Sequence, residues 1–245
     1  MSNQEVKFSI ASSAAWAPGV ETRAAWMAWA RGELLFTGDR EPPVKPMAPM
    51  LRRRAGFLSK MALEVAYGSL DRKIDVPTIF CSRHGEALRS VDLLTDLANG
   101  VSLSPTSFGL SVHNATAGLF SIARGDHANS IALAAGASSV EHAVIEASGL
   151  LADGELEVLL VVYDCPLPTI YASFQDCDEQ PFAWAWLLQP AREDCYSLRW
   201  SDAKNARSQH SLPGGLEIFR FYLLMEHLLE RTCDGRQWIW TRHAK

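Results

Sequence analysis

Apolar positions along this chain fall into short strand-like runs that alternate with longer helix-like stripes. Val6 to Ala11 reads as a first strand. Pro18-Gly19 then opens a segment from Val20 to Arg31 in which Trp26 and Trp29 stand three residues apart, as on one face of a helix. Residues 37–50 contain Pro42, Pro43, Pro46 and Pro49. Proline lacks an amide donor and fixes φ, so a surface connection is predicted there. Beyond Arg52-Arg53-Arg54, the residues Phe57, Leu58, Met61, Leu63, Val65 and Ala66 have the spacing of an amphipathic helix ending near Gly68. Val76 to Ser82 predicts a short buried strand, and residues 86–98 a helix stopped by Asn99-Gly100, a pair suited to positive φ.

Residues 102–125 are rich in small side chains, and Ala115 to Ala123 can form a helix that another backbone approaches closely. A strand at 129–135, a helix at 138–152, an Asp153-Gly154 turn and a strand at 156–163 follow in order. That succession predicts a βαβ unit whose crossover helix covers a parallel sheet. Phe182 to Leu188 predicts another sheet strand, with Trp184 and Trp186 on one face and Ala183 and Ala185 on the other. Residues 191–213 read as a polar loop, Leu216 to Arg231 as a strongly apolar helix, and Gln237 to Arg242 as a short strand after the Asp234-Gly235 turn. The predicted class is α/β: a mostly parallel sheet of about five strands with helices on both faces, plus a C-terminal helix and short strand. One domain over residues 1–245 is expected, with its core in residues 1–190 and an extension in residues 191–245.

Composition narrows the function classes. With 245 residues, 48% of them hydrophobic, the chain can bury a substantial core. A net charge of -5 and the lack of a long basic run argue against a nucleic-acid partner. The five cysteines, at 81, 165, 177, 195 and 233, form no CxxC pair and no zinc spacing with the seven histidines. No metal site and no cofactor are expected, and the cysteine pattern fits a reducing compartment. Pro18-Gly19 interrupts the apolar stretch Ser9–Ala17 before a signal region could mature, and no run reaches the roughly 18 apolar residues of a membrane span. A cytoplasmic protein is the expectation.

Several residues invite a chemical role. Arg52, Arg53 and Arg54 form either a solvated helix start or a patch for an acidic partner. Ser138 and His142 stand four apart on one helical face, but no acid is placed to orient the histidine, and a serine at a helix start caps backbone donors. Cys81 and Cys165 lie at predicted strand ends, where buried structural thiols are the favoured reading. The eight tryptophans point to a core, and their number to a large apolar surface covered by a partner.

The most specific pattern is Ala134-Ala135-Gly136-Ala137-Ser138-Ser139. It resembles the nucleophile elbow of the thiolase-like β-ketoacyl synthases, Thr-Ala-Cys-x-Ser-Ser, with Gly136 at the cysteine position. The resemblance runs to about residue 190 and is strongest from Ser104 to Tyr171. Arg54 to Leu70 resembles the helix before the family's second strand, and Ser107 to Arg124 the segment near the dimer axis. Asp153 to Asp164 is similar to the family's G-x-x-D-x-x-x-x-G strand, with Glu157 where Asp is usual and Tyr163-Asp164 in place of glycines.

In that family condensation needs an acyl-carrying thiolate, donors for the developing oxyanion, and two histidines from a second, similar half. Glycine supplies no thiolate, and no such half is expected in this chain, so the resemblance implies a subunit without catalytic residues. It is closest to the half-length ketosynthase homologues of aryl polyene clusters and to the chain-length factors of type II polyketide systems. It implies a heterodimer with a full-length ketosynthase in aryl polyene, polyketide or fatty-acid-like biosynthesis, with acyl carrier protein met indirectly through that partner or at the arginine patch. The strand at Ser130 to Ala135, with Ser130, Ala132 and Ala134 as its interface candidates, would join the partner's sheet, and Phe108, Leu110, His113, Asn114 and Phe120 would line the interface or the acyl tunnel. Two alternatives stay open: a thiolase-like acyltransferase or hydrolase using Ser138, Cys81 or Cys165, and a homodimeric scaffold.

Overall fold

The first apolar run builds a longer strand than its alternation suggests: β1 (Gln4–Trp16) threads the middle of the sheet. A computed structural model describes residues 4–71, 73–203 and 211–244. After β1 come α1 (Arg23–Ala30), α2 (Pro49–Arg52), α3 (Phe57–Leu70) and β2 (Thr78–Cys81). Next are α4 (Ala87–Ala98), α5 (Pro105–Gly109), α6 (Ala115–Arg124), β3 (Ser130–Leu133) and α7 (Ser139–Ala152). The chain then runs through β4 (Val158–Asp164), β5 (Phe182–Pro190), β6 (Cys195–Asp202), α8 (Gly214–Leu223), β7 (Leu228–Cys233) and β8 (Arg236–His243). Among the described residues the strands form one eight-stranded sheet, ordered β3-β2-β4-β5-β1-β6-β8-β7.

The α/β class and the helices on both faces are as predicted, but the sheet is larger than about five strands and parallel only at β3-β2-β4. The remaining pairs are antiparallel. The strand at Phe182–Leu188 is buried on both faces, as strands of parallel sheets are, and its pattern therefore carries no sign of direction. Residues 195–202, read as polar loop, form β6; residues 204–210 of that expected loop lie outside the described residues. The expected helix from Leu216 to Arg231 ends at Leu223, after which Met225 takes φ +53° and the chain re-enters as β7. Its second half reads as helical because Leu224 and Leu229, which pack against the core from the helix end and from β7, continue the apolar stripe. Residues 191–245, expected as an extension, thus widen the sheet.

Each face carries its own core. On one, α3 lays Leu58, Met61, Ala62, Val65 and Ala66 at three- and four-residue spacings over Ala183, Ala185 and Leu187 of β5, and α6 adds Ala117 and Phe120. On the other, α1, α7 and α8 cover Trp184, Trp186, Trp238 and Trp240, all at most 1% exposed. Phe219 of α8 stacks on Trp184 at 5.5 Å and meets Trp26 edge-on at 5.2 Å. The tryptophan pairs therefore fill this chain's own interior instead of facing a partner, and α8 packs on the sheet. No helix among the described residues is long and apolar enough to cross a membrane.

Candidate functional site

The parallel strands β2, β3 and β4 direct their C-terminal ends to one side of the sheet, where open α/β sheets place their ligand crevices. There β3 gives way to Ala134-Ala135 and then to Gly136 at φ +60°, a backbone conformation that suits glycine. Ser139 Oγ donates to the Gly136 carbonyl at 2.7 Å and accepts from the Ala135 amide at 2.9 Å, closing the turn before α7. The elbow expected from the sequence is present.

What fills it comes from the far end of the chain. The β7–β8 hairpin turns through Asp234 (φ +50°) and Gly235 (φ +73°), the two-residue Asp-Gly geometry matched to strand twist. This turn sets the Asp234 carboxylate at the start of α7. Asp234 Oδ2 accepts from the Ser138 amide at 2.8 Å and the Ser138 hydroxyl at 2.7 Å. A Cβ on Gly136 would stand 3.2 Å from Asp234 Oδ2. The carboxylate thus occupies the helix N-terminus, where backbone donors and the helix dipole favour an anion. His142 does not reach the Ser138 hydroxyl; its Nδ1 is 2.9 Å from the Ser138 carbonyl oxygen, and its ring meets Trp238.

Behind the elbow a buried ion cluster locks the hairpin to the helices. Arg231, 2% exposed, binds Glu141 of α7 through Nη1, Glu217 of α8 through Nε at 2.7 Å, and the Ala137 carbonyl through Nη2 at 3.3 Å. Burial alone disfavours the guanidinium charge, but Glu141 and Glu217 outweigh that and raise its pKa. Gly214 makes room for it: a Cβ there would come 2.4 Å from Arg231 Nη2.

A cleft of about 610 Å³ opens beside the elbow, lined by Gly136, Cys81, Asp164, Cys177, Cys233 and Asp234 among others. Its thiols are not activated. Burial, reinforced by Asp164 and Glu141, pushes Cys81 well up; burial and neighbouring acids bring Cys177 and Cys233 to about 12. Cys165 is also raised, by burial first and then by Asp164. Asp164, itself raised by burial, accepts from Ser82 Oγ at 2.8 Å and from the amides of Arg83 and His84, shaping the turn after β2. Among the described residues no group of three or more His, Cys, Asp or Glu is placed to hold a metal ion.

The family model described as "Beta-ketoacyl synthase, N-terminal domain" matches residues 26–241. The chain belongs to the β-ketoacyl synthase family. Among solved structures, the ketosynthase ApeO in complex with its chain length factor ApeC from Xenorhabdus doucetiae is similar at 28% identity and TM-score 0.84, over 97% of this chain and 100% of that chain. The ishigamide ketosynthase/chain length factor matches at 15% identity and TM-score 0.62, over 80% of this chain and 67% of that chain. AntDE:AntF, a type II polyketide acyl-carrier protein with its ketosynthase, matches at 11% identity and TM-score 0.71, over 98% of this chain and 100% of that chain. The last two share the fold. None of the curated protein sequences compared with the chain matches it.

In this β-ketoacyl synthase relative the residues expected at an interface separate into two groups. Ser130, Ala132 and Ala134 lie on or just past β3, which among the described residues pairs only with β2 and leaves its other edge without a strand. Phe108 is 63% exposed on α5, and Asn114 is exposed at the start of α6. Three other candidates point inward. Leu110 is half-buried against the α3 core, and Phe120, 2% exposed, packs between Tyr67 and Phe80. His113 holds the Ser82 carbonyl through Nε2 at 2.8 Å. Arg53 and Arg54 are exposed, whereas Arg52 donates to the Pro43 carbonyl at 3.2 Å, and the following helix starts at Phe57.

Sequence reasoning missed Asp234, Arg231 and Glu141. The signals were there: a charged residue on the buried face of an apolar helix, and a Gly-Gly pair at 214–215 beside a distant arginine.

Proposed function

We propose that this chain is the non-condensing, chain-length-determining subunit of a ketosynthase heterodimer in aryl polyene or polyketide biosynthesis, with acyl carrier protein delivered to the partner. The observation that carries this reading is Gly136 with the Asp234 carboxylate on its helix start: the elbow lacks a nucleophile and its anion-binding end is occupied. The similarity to the ApeO–ApeC complex supports the pairing. So does the apolar surface of α4, α5 and α6, the last of which packs against β3. Leu88, Leu94, Leu97, Val101, Phe108, Val112 and Ile122 are 45–66% exposed within one stretch of the chain, a concentration of apolar surface typical of an interaction site. Strand addition at β3 would satisfy its unpaired backbone groups and continue the sheet into the partner.

Co-expression with a full-length ketosynthase of the same organism is expected to yield a stable 1:1 complex. Ala132→Glu on the β3 edge and Ile122→Asp on α6 should weaken that complex at least about tenfold, near 1.4 kcal/mol, while the circular dichroism of the chain stays unchanged. A monodisperse monomer that ignores the ketosynthase would sink the reading, and a homodimer by light scattering would favour a scaffold. Phe108→Ala, which removes an exposed ring, is expected to change the length distribution of products while the condensation rate is retained. Unchanged product lengths would remove Phe108 from the tunnel.

The reading as an acyl-transfer enzyme with another nucleophile finds little support: the thiols are raised, and the Ser138 hydroxyl is held by the Asp234 carboxylate while His142 turns to the Ser138 carbonyl instead of the hydroxyl.

A further inference from the structure

A second cavity lies over β1 and β6, between α1 and α8, and shares no lining residue with the elbow cleft. It measures about 390 Å³, within the range of small-molecule sites. Four aromatic side chains line part of it. Trp26 meets Phe219 edge-on at 5.2 Å, Phe219 stacks with Tyr222 at 5.8 Å, and Tyr196 lies 6.1 Å from Tyr222.

Two guanidinium groups line the same space with donors to spare. Arg23 occupies the first turn of α1 with no acidic residue in that turn, and among the described residues it has no ion pair or side-chain hydrogen bond. A cation there stands at the positive end of the helix dipole, an unfavourable position that a bound anion would relieve. Arg242 donates through Nη2 to Asp194 at 3.4 Å and lies beside the Tyr196 hydroxyl; it is its terminal guanidinium edge, not its buried Nε, that could meet a ligand. The carboxylates at the rim are already matched, Glu21 with Arg40 at 3.4 Å and Asp194 with Arg242. Tyr222 donates to Ser13 Oγ at 2.9 Å, which leaves the Ser13 hydroxyl proton available to a ligand. Among the described residues that leaves Arg23 as the lining charge without an ion pair, and the walls suit a flat ring.

We infer that this cavity binds a planar aromatic carboxylate, its ring against Trp26, Phe219 and Tyr222 and its carboxylate held by Arg23, Arg242 and Ser13. Guanidinium groups favour carboxylates through paired donors, and aromatic walls favour a flat apolar body. The inference does not depend on which protein the chain pairs with.

The test is isothermal titration of the full chain, purified alone or with its partner, using 2-naphthoate and its neutral counterpart 2-naphthamide. One saturable site per chain is expected for the acid, with the amide at least about tenfold weaker. Arg242→Gln should weaken the acid at least about tenfold and leave the amide unchanged; Arg23→Gln, on the exposed rim, gives the same comparison if Arg242→Gln does not fold. Leu223→Trp, which fills the cavity without altering its charge, should abolish both. No saturable heat, equal affinity for acid and amide, or indifference to the cavity-filling variant would overturn the assignment.

Discussion

Arg231→Met is expected to destabilise the fold by about 3–5 kcal/mol, the cost of leaving a buried carboxylate without its cation. Glu141 is fully buried and its Oε2 already has no hydrogen-bond partner, so the arginine is its compensation. Glu217 can hydrate, since its side chain remains 21% exposed. The sharper version of the experiment adds Glu141→Leu to Arg231→Met. Replacing a whole buried pair by apolar residues of similar volume is often neutral, so the double variant should regain most of the loss. Urea denaturation followed by tryptophan fluorescence reads both, because the cluster lies beside the Trp238 and Trp240 core. A single-variant loss below about 1 kcal/mol would mean that Glu141 is not held as a buried charge. The cluster also joins α7, α8 and β7 behind the elbow, so the single variant loosens the hairpin that carries Asp234.

The parts of the fold that were legible in the sequence are those governed by local periodicity. The succession of β3, α7 and β4 follows from apolar runs and turn residues at their boundaries, and the elbow from a short run of small residues around Gly136. Strand direction was not legible, because burial on both faces erases the alternation that would distinguish β5 from a parallel strand. The α8–β7 boundary was hidden for a related reason: Leu223, Leu224, Leu228 and Leu229 satisfy a helical stripe as well as a helix end and a strand start. At the site, Gly136 could be read from neighbours within a few residues. Asp234 could not, since it lies 96 positions from Ser138 and belongs to the hairpin at the sheet edge opposite β3, meeting the elbow only by tertiary packing across the start of α7. His113 and Phe120 were placed at a surface by their segment, whereas tertiary packing turns them onto the Ser82 carbonyl and the α3 core.

Gly136→Cys is expected to restore a sulfur without restoring a nucleophile. The new Cβ would lie 3.2 Å from Asp234 Oδ2, so a thiolate would form against a carboxylate already seated at the helix start. A carboxylate next to the new side chain disfavours ionisation and raises the thiol pKa, where an empty helix N-terminus would lower it. The positive φ adds roughly 1–2 kcal/mol of backbone strain, tolerable in a stable fold. Asp234→Asn isolates the charge, since asparagine tolerates the same φ and its amide oxygen still accepts from the Ser138 amide. In the double variant the cysteine should react with iodoacetamide at neutral pH about a hundredfold faster than in Gly136→Cys alone, equivalent to a drop of about two pKa units in thiolate fraction. The sign follows in the pH profile: each rate climbs tenfold per pH unit below the thiol pKa, and the double variant should level off at the lower pH. Native cysteines give little background, being buried or raised, and peptide mapping separates them. Equal rates in the two variants would show that Asp234 does not control the elbow. A hundredfold gain would show that the last hairpin, and not only the missing sulfur, keeps this elbow from holding an acyl group.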